Sequence, residues 1–183
     1  VVHADEFTSL QQYMHVERPI QNHFLQSLEG AQTTDAPSLI MLCGSVGDGK
    51  SHLISYIQEM RPDLLKGFYV HNDSTESHNP SEDEIETLER VLAGFEQNRR
   101  GSNRIVLAIN LGVLHNFYVK HRGTSHFSTI VKAIEASSIF EMDQDISQSI
   151  EDITFLNFAG LQPYDLDETG ATSPFFKAII EKV

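Results

Sequence analysis

Leu39-Ile40-Met41-Leu42-Cys43-Gly44-Ser45-Val46-Gly47-Asp48-Gly49-Lys50-Ser51-His52-Leu53 is the stretch on which the fold turns. Its five consecutive apolar residues, Leu39 to Cys43, predict a strand buried on both faces, and that strand runs straight into glycines. From Lys50 onward Leu53, Ile54 and Ile57 recur at helical spacing, and Pro62 ends the pattern because proline disfavours helix in the residue before it. Gly44 to Ser51 satisfies G-x-x-x-x-G-K-[ST], with a strand before and a helix after, the setting that gives this pattern its meaning. Glycines let the backbone wrap closely, successive N–H groups turn inward as an anion nest, and the positive end of the helix adds to the field. A diphosphate or triphosphate suits such a loop. Gly44, Ser45, Val46, Gly47, Asp48, Gly49, Lys50, Ser51 and His52 are therefore the expected nucleotide-binding residues. Lys50 would reach the β- and γ-phosphates as a point charge and the Ser51 hydroxyl would hold Mg²⁺, while His52 borders the site as a packing residue.

Working outward, Pro19 stands where a first helical residue would, with Ile20, Phe24, Leu25 and Leu28 at helical spacing and Gly30 as the expected stop. Residues 31–38 carry turn formers and no apolar period. Phe68 to Asn72 reads as a second strand, and Ile85, Leu88, Val91, Leu92 and Phe95 as a helix with Glu82, Asp83, Glu86 and Glu89 on its other face. Ile105 to Ile109 is a third strand, Ser128 to Ser138 lies in a further helix, and Ile153 to Phe158 is a fourth strand. Strand and helix alternate, so the expected class is α/β: a P-loop nucleoside triphosphatase with a parallel sheet between helices on both faces, in three αβα layers. Residues 1–36 form a lead-in helix and linker, and residues 37–183 the core.

Hydrolysis asks for more than a phosphate loop: a carboxylate near Mg²⁺ and a group that orients the attacking water. Asp73 falls at the end of the second strand and Asn110 at the end of the third, where ATPases with an acidic residue closing that strand carry Asp. Three readings compete. Asp73 or Glu76, in His71-Asn72-Asp73-Ser74-Thr75-Glu76, supplies the carboxylate, with Asp73 as a second metal-holding residue; Asn110 coordinates through its amide; or nucleotide is bound and hydrolysed poorly. Asn157, ending the fourth strand, stands where a polar residue that senses the γ-phosphate would be placed. The candidate catalytic set is Lys50, Asp73, Glu76, Asn110 and Asn157, each of the last four also readable as strand-end turn chemistry. A small-molecule kinase is disfavoured, since no arginine-rich lid follows the third strand.

In the 183 residues, 13 Lys plus Arg face 26 Asp plus Glu, a net charge of -13 that repels a phosphate backbone, so nucleic acid is not an expected direct ligand. The acids are grouped: residues 72–97 hold eight against Arg90 alone, and residues 141–168 hold eight with no base. Arg99, Arg100, Arg104, Lys120 and Arg122 form the basic cluster, read as a solubilising surface ahead of a trans-acting arginine or a contact with DNA or a partner. His115, His121 and His126, at intervals of six and five, share no helical face and predict no zinc site. One cysteine, Cys43, makes no internal disulfide and reads as a small buried hydrophobe; with no apolar run near the roughly 18 residues of a membrane span, a cytoplasmic protein without membrane contact is expected. The start at Val1 and the end in mid-pattern at Val183 suggest a piece of a longer chain.

Four stretches carry a resemblance: Tyr13-Met14-His15-Val16-Glu17-Arg18-Pro19-Ile20, the loop with its flanks from Leu42 to Leu53, His71-Asn72-Asp73-Ser74-Thr75-Glu76-Ser77, and Leu107-Ala108-Ile109-Asn110-Leu111-Gly112-Val113-Leu114. Over roughly residues 13–114 the sequence resembles the N-terminal part of the DptF (DndF) family, components of the bacterial phosphorothioation-dependent DNA restriction system. The resemblance implies an ATPase that uses ATP and Mg²⁺ and acts with the partners DptG and DptH against DNA lacking phosphorothioate modification. On that view DNA is reached through the complex, an oligomeric assembly is compatible, and a nucleotide-gated interaction module with little hydrolysis is the rival.

Overall fold

A computed structural model describes residues 9–72, 84–97, 103–141, 145–161, 164–167 and 170–183. Its centre is a five-stranded sheet of β1 (Ser38–Gly44), β2 (Phe68–Asn72), β3 (Arg104–Asn110), β4 (Ser147–Ile150) and β5 (Ile153–Asn157), in the order β2-β3-β1-β5-β4. β1 pairs in parallel with β3 and β5, and β2 in parallel with β3. The expected wholly parallel sheet needs one correction, because β4 joins the edge antiparallel to β5. Its residues Ser147-Gln148-Ser149-Ile150 present no apolar run; the strand is held by its ladder and by Ser149 Oγ 3.0 Å from Thr154 Oγ1. Pairing at an edge needs no burial on both faces, so hydropathy is silent about it.

The apolar runs are central because helices cover both faces. Leu39, Met41 and Cys43 of β1 and Ile105, Leu107 and Ile109 of β3 point into one core, closed by α4 (Glu84–Gln97), α5 (Leu111–His121) and α6 (Ser128–Ser137). Ile40 and Leu42, with Val106 and Ala108, point into the other, closed by α2 (Pro19–Gln32) and α3 (Lys50–Met60). The alternation is the period of two that a strand imposes, here with both faces apolar. Ile20, Phe24 and Leu28 of α2 are fully buried beside β1, so the lead-in helix is packed into the same core as the strand it precedes.

One helix ends later than expected and one helix, α5, is not among the expected elements. α2 passes through Gly30 to Gln32, and Thr33 closes it with its N–H 3.2 Å and its hydroxyl 2.7 Å from the Gly30 carbonyl. A hydroxyl that satisfies an orphan carbonyl makes a left-handed glycine unnecessary. α5 begins at Leu111 with no linker after β3, because the Asn110 side chain accepts from the Gly112 N–H at 2.8 Å and caps it. Beyond the sheet lie α1 (Ser9–Met14), the hairpin of β6 (Asp165–Asp167) and β7 (Gly170–Thr172), and α7 (Pro174–Ile180). Among the described residues no helix is long and apolar enough to cross a membrane.

From β1 the chain visits β2 and β3 on one side of the sheet and then β5 on the other. A crevice outside the C-terminal end of β1, at that reversal, is where open α/β sheets place ligands.

Candidate functional site

Gly44 closes β1, and the chain crosses the sheet's C-terminal edge through residues 45–49 before α3 starts at Lys50. Gly49, immediately before the helix, has φ +88°, a left-handed conformation that a side chain resists, and a Cβ there would lie 2.8 Å from Arg18 Nη2. At Gly44 a Cβ would fall 2.7 Å from Phe158 Cβ and closer still to the Asp48 carboxylate, so these two side chains leave room for hydrogen alone. The loop is tied within itself: the Asp48 carboxylate accepts from the Ser45 N–H, and Lys50 Nζ donates to the Ser45 carbonyl at 2.6 Å. Lys50 is 9% exposed, with its ammonium turned back onto the loop at Ser45, whereas Val46 at the tip is 81% exposed.

Ser51, in the first turn of α3, donates from Oγ to Asn72 Oδ1 at 2.9 Å. Asn72 is the last residue of β2, so the hydroxyl faces the end of a strand two places from its own. Sequence spacing does not single out Asn72, although it sits inside the His71 to Ser77 stretch. Asp73 and Glu76 lie outside the described residues; Asp73 is the residue that follows Asn72. A Ser hydroxyl in the first turn of a helix and an amide oxygen at a strand end are hard oxygen donors, so this donor set fits Mg²⁺. Among the described residues no group of three His, Cys, Asp or Glu side chains forms a metal site by itself.

The two other asparagines flank β1. Asn110 is in register with Gly44 from β3, and Asn157 with Cys43 from β5. Both side-chain oxygens accept from nearby backbone: Asn110 caps α5, and Asn157, 4% exposed, accepts from the Ala159 N–H at 3.0 Å. Each therefore has a structural task at the position sequence spacing marks as chemical.

Arg18 completes the loop from 30 residues away. Proline at 19 holds it extended (φ -125°, ψ 154°), off the helix, and its Nη1 donates to the Asp48 carbonyl at 2.8 Å. Its Cζ lies 5.2 Å from the Phe158 ring centroid and 5.8 Å from that of Phe175. His15 Nε2 is 2.8 Å from Gln21 Oε1 and its Nδ1 3.0 Å from His52 Nε2, so His15 donates to Gln21 and accepts from His52. The His15 ring also stacks on Tyr56 at 3.5 Å. Burial is the main cause that pushes both imidazoles below their usual range; at His15 the Gln21 bond and Glu17 oppose it while Lys182 and then Arg18 add to it, and at His52 the neighbouring His15 and then Arg18 add to it. Neither Arg18 nor His15 carries a local signal beyond the proline that follows the arginine.

Behind the loop a cavity of about 410 Å³ opens between residues 14–21, Gly47 to Gly49 and Phe158, Leu161 and Phe175. The basic cluster disperses: Arg104 donates to Gln32 Oε1 at 3.0 Å and the Thr34 carbonyl at 2.6 Å, Lys120 pairs with Glu89 at 2.6 Å, and Arg99 and Arg100 lie outside the described residues. Cys43 is fully buried, and burial pushes its thiol up to about 12, so it packs as a hydrophobe. Comparison with protein-family models, curated proteins and solved structures finds no match to this chain, and the site is therefore read on its own chemistry.

Proposed function

We propose that the chain is a P-loop nucleoside triphosphatase domain that binds ATP with Mg²⁺ and hydrolyses it. The observation that carries this reading is the loop itself: a left-handed Gly49 leading into α3, Lys50 against the loop backbone, and Ser51 facing the end of β2. Lys50 and the helix N-terminus would neutralise the phosphates, and Ser51 with Asn72, and Asp73 next to it, would hold Mg²⁺, which supplies charge neutralisation at the transferring phosphoryl group. The resemblance over residues 13–114 extends the proposal to an ATPase subunit of a phosphorothioation-dependent DNA restriction complex, working with DptG and DptH. With a net charge of -13, the domain would meet DNA through those partners.

A second reading, a nucleotide-gated interaction module with little turnover, is favoured by one observation: Asn110 and Asn157, the polar residues beside β1, both spend their side-chain oxygens on backbone N–H groups. ATP binding and turnover by the chain alone, and by the complex with unmodified DNA, separate the two. Lys50→Ala is expected to weaken ATP binding by about 100-fold, which corresponds to ~2.7 kcal/mol. Restriction that persists unchanged in Lys50→Ala overturns the ATPase reading, and tight ATP binding without turnover in the complex selects the gated module.

A further inference from the structure

The sheet ends on a strand whose outer edge is open to pairing. β4 is last in the order β2-β3-β1-β5-β4, and among the described residues β5 is the one strand that pairs with it. The Asn157 N–H donates to the Ile146 carbonyl at 2.8 Å, in the register that sets Ser147 opposite Leu156. Residues that exchange backbone bonds alternate along an antiparallel strand, so Ile146, Gln148 and Ile150 turn their N–H and C=O groups to β5, while Ser147 and Ser149 turn theirs outward. Longer edges are blunted by proline, by charged residues within the strand or by a bulge. Ser147-Gln148-Ser149-Ile150 has no proline and no charge, and its register runs on without a bulge. Ile150 packs against the core that α6 closes, so the edge is held in place, and its four residues limit any contact to a short segment.

We propose that this edge takes a short, basic, extended segment of a partner protein, which joins the sheet as a further strand beside β4. The occupant follows from charge and from the surface alongside. Asp145 is exposed just ahead of the strand, and Glu151, also exposed, forms with Asp152 the turn just after it, so carboxylates stand at both ends. They belong to residues 141–168, which hold eight acids and no base. On the α2 side of β4 an open trough of about 470 Å³ carries the hydroxyls of Ser27, Ser147, Ser149 and Thr154, and Glu151 and Asp152 line it too; among the described residues no Lys or Arg does. Such a surface receives small polar side chains of an added strand along its length, and ammonium or guanidinium groups at its ends. Backbone hydrogen bonds to Ser147 and Ser149 supply affinity, and the flanking carboxylates select the partner. A second copy of this chain is a poor occupant, because pairing β4 with β4 sets acids against acids at both ends. The trough lies by the first residues of β1 and β5, at the opposite end of β1 from the glycine-rich loop, so the inference is independent of the nucleotide reading.

Titration of the intact protein with a fluorescently labelled peptide of alternating Lys and Thr tests this, beside the same peptide methylated at every backbone nitrogen and a peptide of alternating Glu and Thr. The unmodified Lys-Thr peptide is expected to bind. Methylation keeps its charge but removes its donors to the edge, and is expected to weaken it about tenfold, as the loss of one or two net hydrogen bonds implies. The Glu-Thr peptide is expected not to bind. Ser147→Pro and Ser149→Pro each remove an outward N–H that the ladder with β5 does not use, so each is expected to weaken the Lys-Thr peptide while the thermal midpoint stays near that of the wild type. Glu151→Lys, in the turn and outside the ladder, is expected to weaken the same peptide and to lessen the salt dependence of its binding. Equal affinity for the methylated and unmodified peptides overturns strand addition, as does an affinity that neither proline variant changes. Equal affinity for the Glu-Thr peptide, or an affinity unmoved by Glu151→Lys, overturns the basic partner. Failure of all three peptides to bind overturns the proposal outright, and sedimentation that shows a dimer lost in Ser147→Pro and Ser149→Pro overturns it in favour of a second copy.

Discussion

At the scale of single residues, the loop is decided by two constraints that no side chain can share. Gly49 needs a positive φ and lies against Arg18, so Gly49→Ala is expected to lower stability by about 1–2 kcal/mol in urea denaturation and to displace the Arg18 guanidinium from the Asp48 carbonyl. Asn110 is a different case, because an amide at a strand end is equally a cap and a ligand. Asn110→Ala removes the acceptor for the Gly112 N–H and is expected to cost ~1 kcal/mol, with Asn110→Ser recovering most of it. Turnover of the serine variant then separates the two roles, since a residue that only caps α5 transmits nothing to the rate once the cap is restored. Spacing marked Asn110 and Asn157 correctly as strand ends beside the loop, but it could not say what their oxygens face, which is a matter of the backbone that follows. Asn72 went unmarked for the converse reason: its neighbour Asp73 has the more familiar chemistry, and only the placement of α3 over β3 brings Ser51 to the amide.

At the scale of elements, the segment before α2 is joined to α3 by the His15–His52 bond, with Gln21 and Tyr56 on the other sides of the His15 ring. Glu17, Arg18 and Lys182 are the charged groups facing it. Both imidazoles are held below the ordinary histidine value of 6.5, so the unfolded chain takes up protons first as pH falls. Stability is therefore unaffected above that value and declines as pH drops through it toward the lower folded-state values. His71, pushed down by burial and by Arg90, adds to the same slope. Thermal unfolding followed from pH 7.5 down to about 5 is expected to show a falling midpoint below about 6.5, and His15→Gln to flatten part, not all, of that fall. The helices α2, α3, α4 and α6 and the four parallel strands were legible because each carries a period or an unbroken apolar run, whereas α1, α5 and α7 were not singled out as helices. β4 was not, because an antiparallel edge strand of Ser-Gln-Ser-Ile is recruited by its neighbour and has no hydropathy of its own.

At the scale of the whole molecule, two apolar cores share one sheet, and the lead-in helix belongs to one of them. Phe24 is fully buried against the face formed by Ile40, Leu42 and α3, so Phe24→Ala is expected to cost about 3–5 kcal/mol. Denaturation should stay a single transition, because α2 and the sheet have no separate cores to unfold in turn; a separate early transition for residues 19–32 would show that the helix is an independent unit. The acidic groups at 72–97 and 141–168 fall outside the loop, so the phosphate site we propose there is spared their charge on a molecule with a net charge of -13. Sequence by itself determined the strand, the glycine-rich loop and the helix that follows, since left-handed turns, buried strands and helix starts are set by neighbours within a few residues. It also determined the alternation from which an α/β sheet follows. Tertiary structure alone decided which strands stand beside β1, and so that Asn110 and Asn157 flank the loop and Asn72 meets Ser51. It alone decided that Arg18, His15 and Phe175 close a cavity behind Gly49. Those contacts join residues from 21 positions apart (Ser51 and Asn72) to 157 apart (Arg18 and Phe175), and which of them meet depends on how the helices pack across the sheet, a choice no local pattern encodes.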